Sequence, residues 1–99
     1  MDVSASELSG RQVYGLLVDS IVPRPVAWVT TSGPSGETNL APFSFFSGVT
    51  ARPPIVSISV ASRPARSPGG DRRFVPKDSA RNIQDRGEFV IHLAPAAWV

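Results

Sequence analysis

Ile21-Val22-Pro23-Arg24-Pro25-Val26-Ala27-Trp28-Val29-Thr30-Thr31 is the stretch on which the fold turns. Pro23 and Pro25 exclude a regular helix, because each fixes φ and lacks an N–H, and they favour extended backbone instead. Residues 26–31 are then rich in β-branched and aromatic side chains, which predicts a strand. Ser32-Gly33-Pro34-Ser35-Gly36 supplies a turn, and Glu37-Thr38-Asn39-Leu40-Ala41 begins a returning strand. The chain is therefore read as built on β-hairpins.

Working outward, the first 20 residues predict a short helix with Ser9 as N-cap and Val13, Leu16 and Leu17 at helical spacing. Tyr14 falls beside that stripe as a packing residue. On the other side, residues 43–50 form a second β-like run carrying Phe43, Phe45, Phe46 and Val49, stopped by Arg52-Pro53-Pro54. In residues 55–60, Val56, Ile58 and Val60 share one face and Ser57 and Ser59 the other, the period of a strand with one buried side. Residues 61–76 read as a loop marked by Arg63-Pro64 and Ser67-Pro68-Gly69-Gly70. Asp78 or Ser79 then caps a short helix running to Arg86, closed by Gly87 at the C′ position. Phe89, Ile91 and Leu93 alternate with Val90 and His92 in a last strand. The expectation is a helical lead-in over residues 1–20, followed over 21–99 by a mainly β domain of sandwich or barrel type with short helices.

Composition narrows the function classes. Ten prolines and eight glycines in 99 residues argue against a long-helix bundle. The absence of cysteine removes disulfides, thiolate metal sites and cysteine nucleophiles, and a single histidine, His92, removes multi-histidine metal sites. His92 has no catalytic motif around it and reads as a strand residue. No apolar run reaches the ~18 residues of a membrane span, and the start lacks a signal-peptide pattern, so a cytoplasmic protein is expected. A chain of this length holds one domain at most, with a small core. The edge strand at residues 88–93 and the apolar end Ala94-Pro95-Ala96-Ala97-Trp98-Val99 predict that the fold continues or that a partner covers this edge.

The net charge of +2 hides an asymmetry. Residues 1–51 hold Arg11 and Arg24 against Asp2, Glu7, Asp19 and Glu37. Residues 52–86 hold Arg52, Arg63, Arg66, Arg72, Arg73, Lys77, Arg81 and Arg86 against Asp71, Asp78 and Asp85. Such a segment fits either an anionic partner or a solvated arginine-rich loop. Nucleic acid is disfavoured, because the arginines and the aromatics occupy different stretches instead of interleaving.

Two segments carry candidate chemistry. Lys77-Asp78-Ser79-Ala80-Arg81-Asn82 opens a helix, where unpaired N–H groups, two cations and a hydroxyl favour an anion. A plain N-cap with surface charges has the same pattern. Asn39-Leu40-Ala41-Pro42-Phe43-Ser44 sets amide and hydroxyl groups on proline-stiffened backbone, suited to a planar heterocycle or to a β-bulge. Neither a phosphate loop nor a Gly-x-Gly-x-x-Gly fingerprint is present.

Taken in order, these blocks resemble the flavin reductase-like, FMN-binding split-barrel family. The matching residues are the run 21–31, Gly36, Asn39-Leu40-Ala41-Pro42-Phe43-Ser44-Phe45-Phe46, Val49-Thr50, Pro53-Pro54, Lys77-Asp78-Ser79, Arg81-Asn82-Ile83 and Gly87-Glu88-Phe89-Val90. Val-Pro-Arg-Pro before the first strand is similar to the flavoredoxin-like branch. The resemblance covers residues ~12–93 and about the N-terminal half of a usual member. It implies an FMN-binding split β-barrel, Greek-key-like, with short helices and incomplete in this chain, in proteins that generally pair as homodimers.

By position, the resemblance implies that Asn39, Ala41, Pro42, Phe43 and Ser44 line the flavin ring and that Thr50 contacts the ring or ribityl chain. Lys77 and Ser79, with Arg81 as a weaker candidate, are implied as ligands of the FMN phosphate; the family commonly has threonine where Ser79 stands. The implied activity is that of an NAD(P)H-dependent flavin reductase, with FMN as cofactor and NADH or NADPH as co-substrate. The flavin supplies the chemistry, so no catalytic side chain is assigned. The alternatives are a non-enzymatic FMN-binding electron carrier or an inactive fragment on the same fold, and, further off, a nucleic-acid-binding β module.

Overall fold

A computed structural model describes residues 2–94. Residues 95–99, which carry most of the apolar C-terminal end, lie outside the described residues. A short 3-10 turn (Ala5–Glu7) leads into helix α1 (Gly10–Ser20). Ser9 caps α1 in a reciprocal box: its hydroxyl accepts from the Gln12 N–H at 3.2 Å, and its own N–H donates to Gln12 Oε1 at 2.9 Å. At the other end Arg24 donates through one guanidinium nitrogen to the carbonyls of Val18 and Ile21, each at 2.7 Å. Those carbonyls lie at the helix end, where intrahelical donors run out. The Arg24 guanidinium also sits 5.3 Å from the Phe45 ring centre, against whose ring Tyr14 packs edge-on at 5.8 Å. The residue between the two prolines thus ties the lead-in helix to the β region.

Strand β1 (Ala27–Ser32) is the centre of the molecule. It pairs antiparallel with β2 (Thr38–Phe43) on one side and β7 (Val90–His92) on the other. Ala27, Val29 and Thr31 point into the protein and are buried, whereas Trp28, Thr30 and Ser32 are half-buried, the alternation of a strand with two unlike faces. His92 pairs with Trp28 across the ladder and shares a 2.6 Å hydrogen bond with the Thr30 hydroxyl, as an ordinary strand contact. The turn between β1 and β2 closes through Gly33 N–H to the Glu37 carbonyl, with Gly36 at φ 82°.

Strands β3 (Phe46–Thr50) and β4 (Ile55–Ile58) form a second hairpin with a register shift between Gly48 and Thr50. The run expected over 43–50 is split, because the chain bends at Ser44 and Phe45 before β3 begins. Residues 61–76 are not a plain loop. Strands β5 (Arg63–Arg66) and β6 (Arg72–Val75) pair antiparallel about the Ser67–Gly70 turn. Pro64 obscures this strand in the sequence. Ser67 N–H bonds the carbonyl of Asp71 opposite it, so Pro64, three residues earlier, occupies a non-hydrogen-bonded position where its missing N–H costs nothing.

Helix α2 (Asp78–Arg86) packs on β1 and β2. Lys77, not Asp78 or Ser79, is the N-cap, and it caps with no side-chain bond. Asp78 instead pairs with Arg81 at 3.1 Å, and Ser79 turns into the protein. Gly87 ends the helix in the left-handed region at φ 71°, as expected. The helix is fastened by Asn82 to the Thr31 hydroxyl at 3.0 Å and by Arg86 to the Gly33 and Pro34 carbonyls at 2.8 and 3.2 Å.

The packing is open. Among the described residues only Ala27 and Val29 are buried hydrophobic side chains. The accessible surface is 7817 Å², against about 5,400 Å² for a compact monomer of this mass. The radius of gyration is 16.5 Å, where about 13 Å is usual at this length. Val56, Ile58 and Val60 do share one face, lining an apolar cavity with Val29, Phe43, Ile83 and Phe89. Among the described residues no helix is long and apolar enough to cross a membrane.

Candidate functional site

The turn from β6 into α2 brings the start of α2 beside the end of β2. Between them lies a cleft of about 370 Å³, lined by Asn39, Ala41, Pro42, Phe43, Arg63, Lys77, Asp78 and Ser79. Residues some 35 positions apart in sequence, 39–43 and 77–79, thus form two walls of one space. Antiparallel pairing with β1 fixes the first wall, since Thr31 opposes Asn39 and Ala27 opposes Phe43. The bonds of Asn82 to Thr31 and of Arg86 to the β1–β2 turn fix the second, by holding α2 on the sheet.

The chemistry of the second wall is cationic and donor-rich. Lys77 is exposed at the N-cap, so the first N–H groups of α2 and its positive dipole end lie beside the ammonium group. Ser79 is 2% exposed, and its Oγ accepts from the Asn39 side-chain amide at 3.0 Å. Asp78 also borders the cleft, and its ion pair with Arg81 offsets its charge. Arg63 completes the wall from β5. This donor set suits a phosphate dianion, which accepts several charge-assisted hydrogen bonds at once.

A second cleft of about 550 Å³ continues from the first and shares Pro42, Phe43 and Lys77 with it. Its walls include Tyr14, Leu17, Ile21, Ser44 and Phe45. The two together form a trough with a cationic end and an apolar, aromatic-lined extension, of a size ordinary for small-molecule sites.

Of the residues singled out from the sequence, Asn39, Ala41, Pro42, Phe43, Lys77 and Ser79 converge on the first cleft, and Ser44 lines its continuation. Thr50 and Arg81 line neither. Thr50 sits at the end of β3 with its hydroxyl on the Pro53 carbonyl at 2.5 Å. Arg81 turns toward Asp78, its Nε buried without a partner. Arg63 was missed, because a residue in a supposed loop has no fixed direction. The cationic excess of residues 52–86 was the one available signal. Among the described residues no group of His, Cys, Asp or Glu side chains is placed to hold a metal.

Residues 19–98 match the model of the flavin reductase-like domain. The chain belongs to the flavin reductase-like family. Its mainly β fold with short helices is that of solved structures in which it matches under half of the chain. Nitrilotriacetate monooxygenase component B from Bacillus cereus superposes with a TM-score of 0.77 at 38% identity, covering 99% of this chain and 44% of that one. The 2-nitrobenzoate 2-nitroreductase NbaA of Pseudomonas fluorescens gives 0.76 at 29% identity, covering 98% and 42%. An uncharacterized protein of Halalkalibacterium halodurans is 45% identical over 93 residues, which is 94% of this chain and 41% of the relative. The protein YwrF of Bacillus subtilis is 42% identical over 95 residues, 96% and 42%. The chain spans about two-fifths of the length of these curated relatives. A flavin reductase-like domain has a flavin-related function, and that coarse assignment holds here.

Proposed function

We propose that the cleft between β2 and α2 is an FMN site and that the chain serves an NAD(P)H-dependent flavin reductase or oxidoreductase. One observation carries this reading: the heterocycle-suited segment 39–43 and the anion-suited helix start 77–79 form opposite walls of one cleft. Bound FMN would supply the redox chemistry, accepting hydride from a reduced nicotinamide and passing electrons on.

The residues of the chain bind and orient. Lys77, Arg63, Ser79 and the first N–H groups of α2 would hold the phosphate, while Pro42 and Phe43 would offer a stiff apolar edge to the ring system. The continuation lined by Ser44, Phe45 and Tyr14 is space that a second planar molecule such as a nicotinamide would use.

A homodimer is part of the proposal. The surface beyond that of a compact monomer is about 2,400 Å² per chain, so two copies burying it would bury up to about 4,800 Å² in total, within the ~2,000–5,000 Å² range of obligate interfaces. A second copy on the apolar face lined by Val56, Ile58 and Phe89 would remove much of it. Analytical ultracentrifugation checks this, and a monomer at all concentrations rules it out. For the activity, NADH or NADPH oxidation is followed with FMN present. A rate above the free-flavin background supports the reductase, and its absence in a chain that holds FMN favours the electron carrier.

A further inference from the structure

We infer that Asn39 is a positioning residue for the phosphate end of the site, acting through Ser79 rather than on the flavin ring. The inference rests on the FMN reading above and deepens it. Asn39 Nδ2 donates to Ser79 Oγ at 3.0 Å, occupying one lone pair of the hydroxyl of a residue that is 2% exposed and borders the cleft. An oxygen that accepts from an amide still has its own proton to give. Within a helix that proton usually goes back to the carbonyl three or four residues earlier. Ser79 is the second residue of α2, so no helical carbonyl lies there, and among the described residues its proton has no acceptor. Asn39 therefore pins the oxygen while the O–H remains free for an anion in the cleft.

A purely mechanical role for this bond is already filled by others. Thr31 is the cross-strand partner of Asn39, and its hydroxyl accepts from Asn82, three residues after Ser79 on α2. That neighbouring amide–hydroxyl bridge is buried at both ends, and Arg86 adds two more bonds to the β1–β2 turn. The helix is thus held without Asn39. The two bridges match in form but differ in setting: one is closed inside the helix–sheet contact, and the other opens on the cleft.

The test compares FMN with riboflavin, which has the same ring and lacks the phosphate, on the full chain and on Asn39→Leu, Ser79→Ala and the double variant. Wild type is expected to bind FMN more tightly than riboflavin. Each single variant should lower FMN affinity roughly five- to tenfold, the worth of one hydrogen bond. The double variant should be no worse than Ser79→Ala, and riboflavin affinity should not move. Equal losses for FMN and riboflavin in Asn39→Leu, or losses that multiply in the double variant, overturn the inference and leave the phosphate site standing. A wild-type chain that binds the two ligands equally overturns both. Should circular dichroism show Asn39→Leu to be unfolded, Asn39→Asp replaces it. Its carboxylate would take up the Ser79 proton, so undiminished FMN binding there also overturns the inference.

Discussion

The side-chain amide of Asn82 donates to the Thr31 hydroxyl at 3.0 Å, inside a contact where the two residues are only 2% and 3% exposed. The other end of that amide, Oδ1, is buried with no partner. The bond couples α2 to the central strand, so it links the position of the Lys77–Ser79 wall to the best-packed part of the protein. An amide left half-satisfied in a dry contact also makes the two partners unequal under mutation.

Thr31→Val should therefore cost more than Asn82→Leu. The first leaves the whole Asn82 amide unpaired and should cost about 2 kcal/mol, the second about 1 kcal/mol. The double variant should recover part of the loss, since it removes both polar groups. Urea denaturation of the four chains checks the order. Equal costs that simply add would contradict the coupling.

Lys77→Ala should weaken FMN binding by about 1–3 kcal/mol, and Arg63→Ala by a similar amount, if both cations meet the phosphate. Because the loss is of charge, it should shrink at high salt. Fluorescence titration with FMN at two ionic strengths measures both effects. Unchanged affinity removes the residue from the site.

Gly87 has φ 71°, where a β-carbon is unfavourable, although a Cβ added there would meet no atom within 4 Å. Gly87→Ala should thus cost about 1 kcal/mol through backbone strain alone. The expected drop in Tm is about 4–8 °C for a chain of this size. A thermal melt with no shift would show that the helix end relaxes.

Arg24→Ala removes both bonds to the end of α1 and the contact with Phe45. It should free α1, which has no buried residue of its own. Amide hydrogen exchange over residues 10–20 should speed up, while exchange in β1 stays slow. Unchanged protection of α1 would show that other contacts hold it.

Much of this architecture was legible in the sequence, and the exceptions have physical causes. Residues 26–31 revealed β1 because two prolines exclude a helix and β-branched and aromatic side chains follow them, and Ser9 and Gly87 marked helix ends because caps demand particular residue types. The β5–β6 hairpin was hidden by Pro64 and by charged side chains on an exposed ribbon, where no period-2 apolar pattern is needed. With it went Arg63, whose place in the cleft depends on that hairpin. Ser79 stood out in the sequence as a candidate, but its burial and its bond to Asn39, 40 positions away, depend on tertiary packing. Arg81 resembled a ligand by sequence proximity, whereas its actual direction follows from the i,i+3 pairing with Asp78.

The central claim is that the β2–α2 cleft holds FMN. It is tested most directly by mixing the chain with FMN, desalting, and recording the visible absorbance spectrum beside that of a Lys77→Ala chain. The account predicts that flavin stays with the wild-type protein at close to one per chain and is depleted in the variant. A wild-type chain that emerges colourless, or one that keeps flavin equally with and without Lys77, would contradict it.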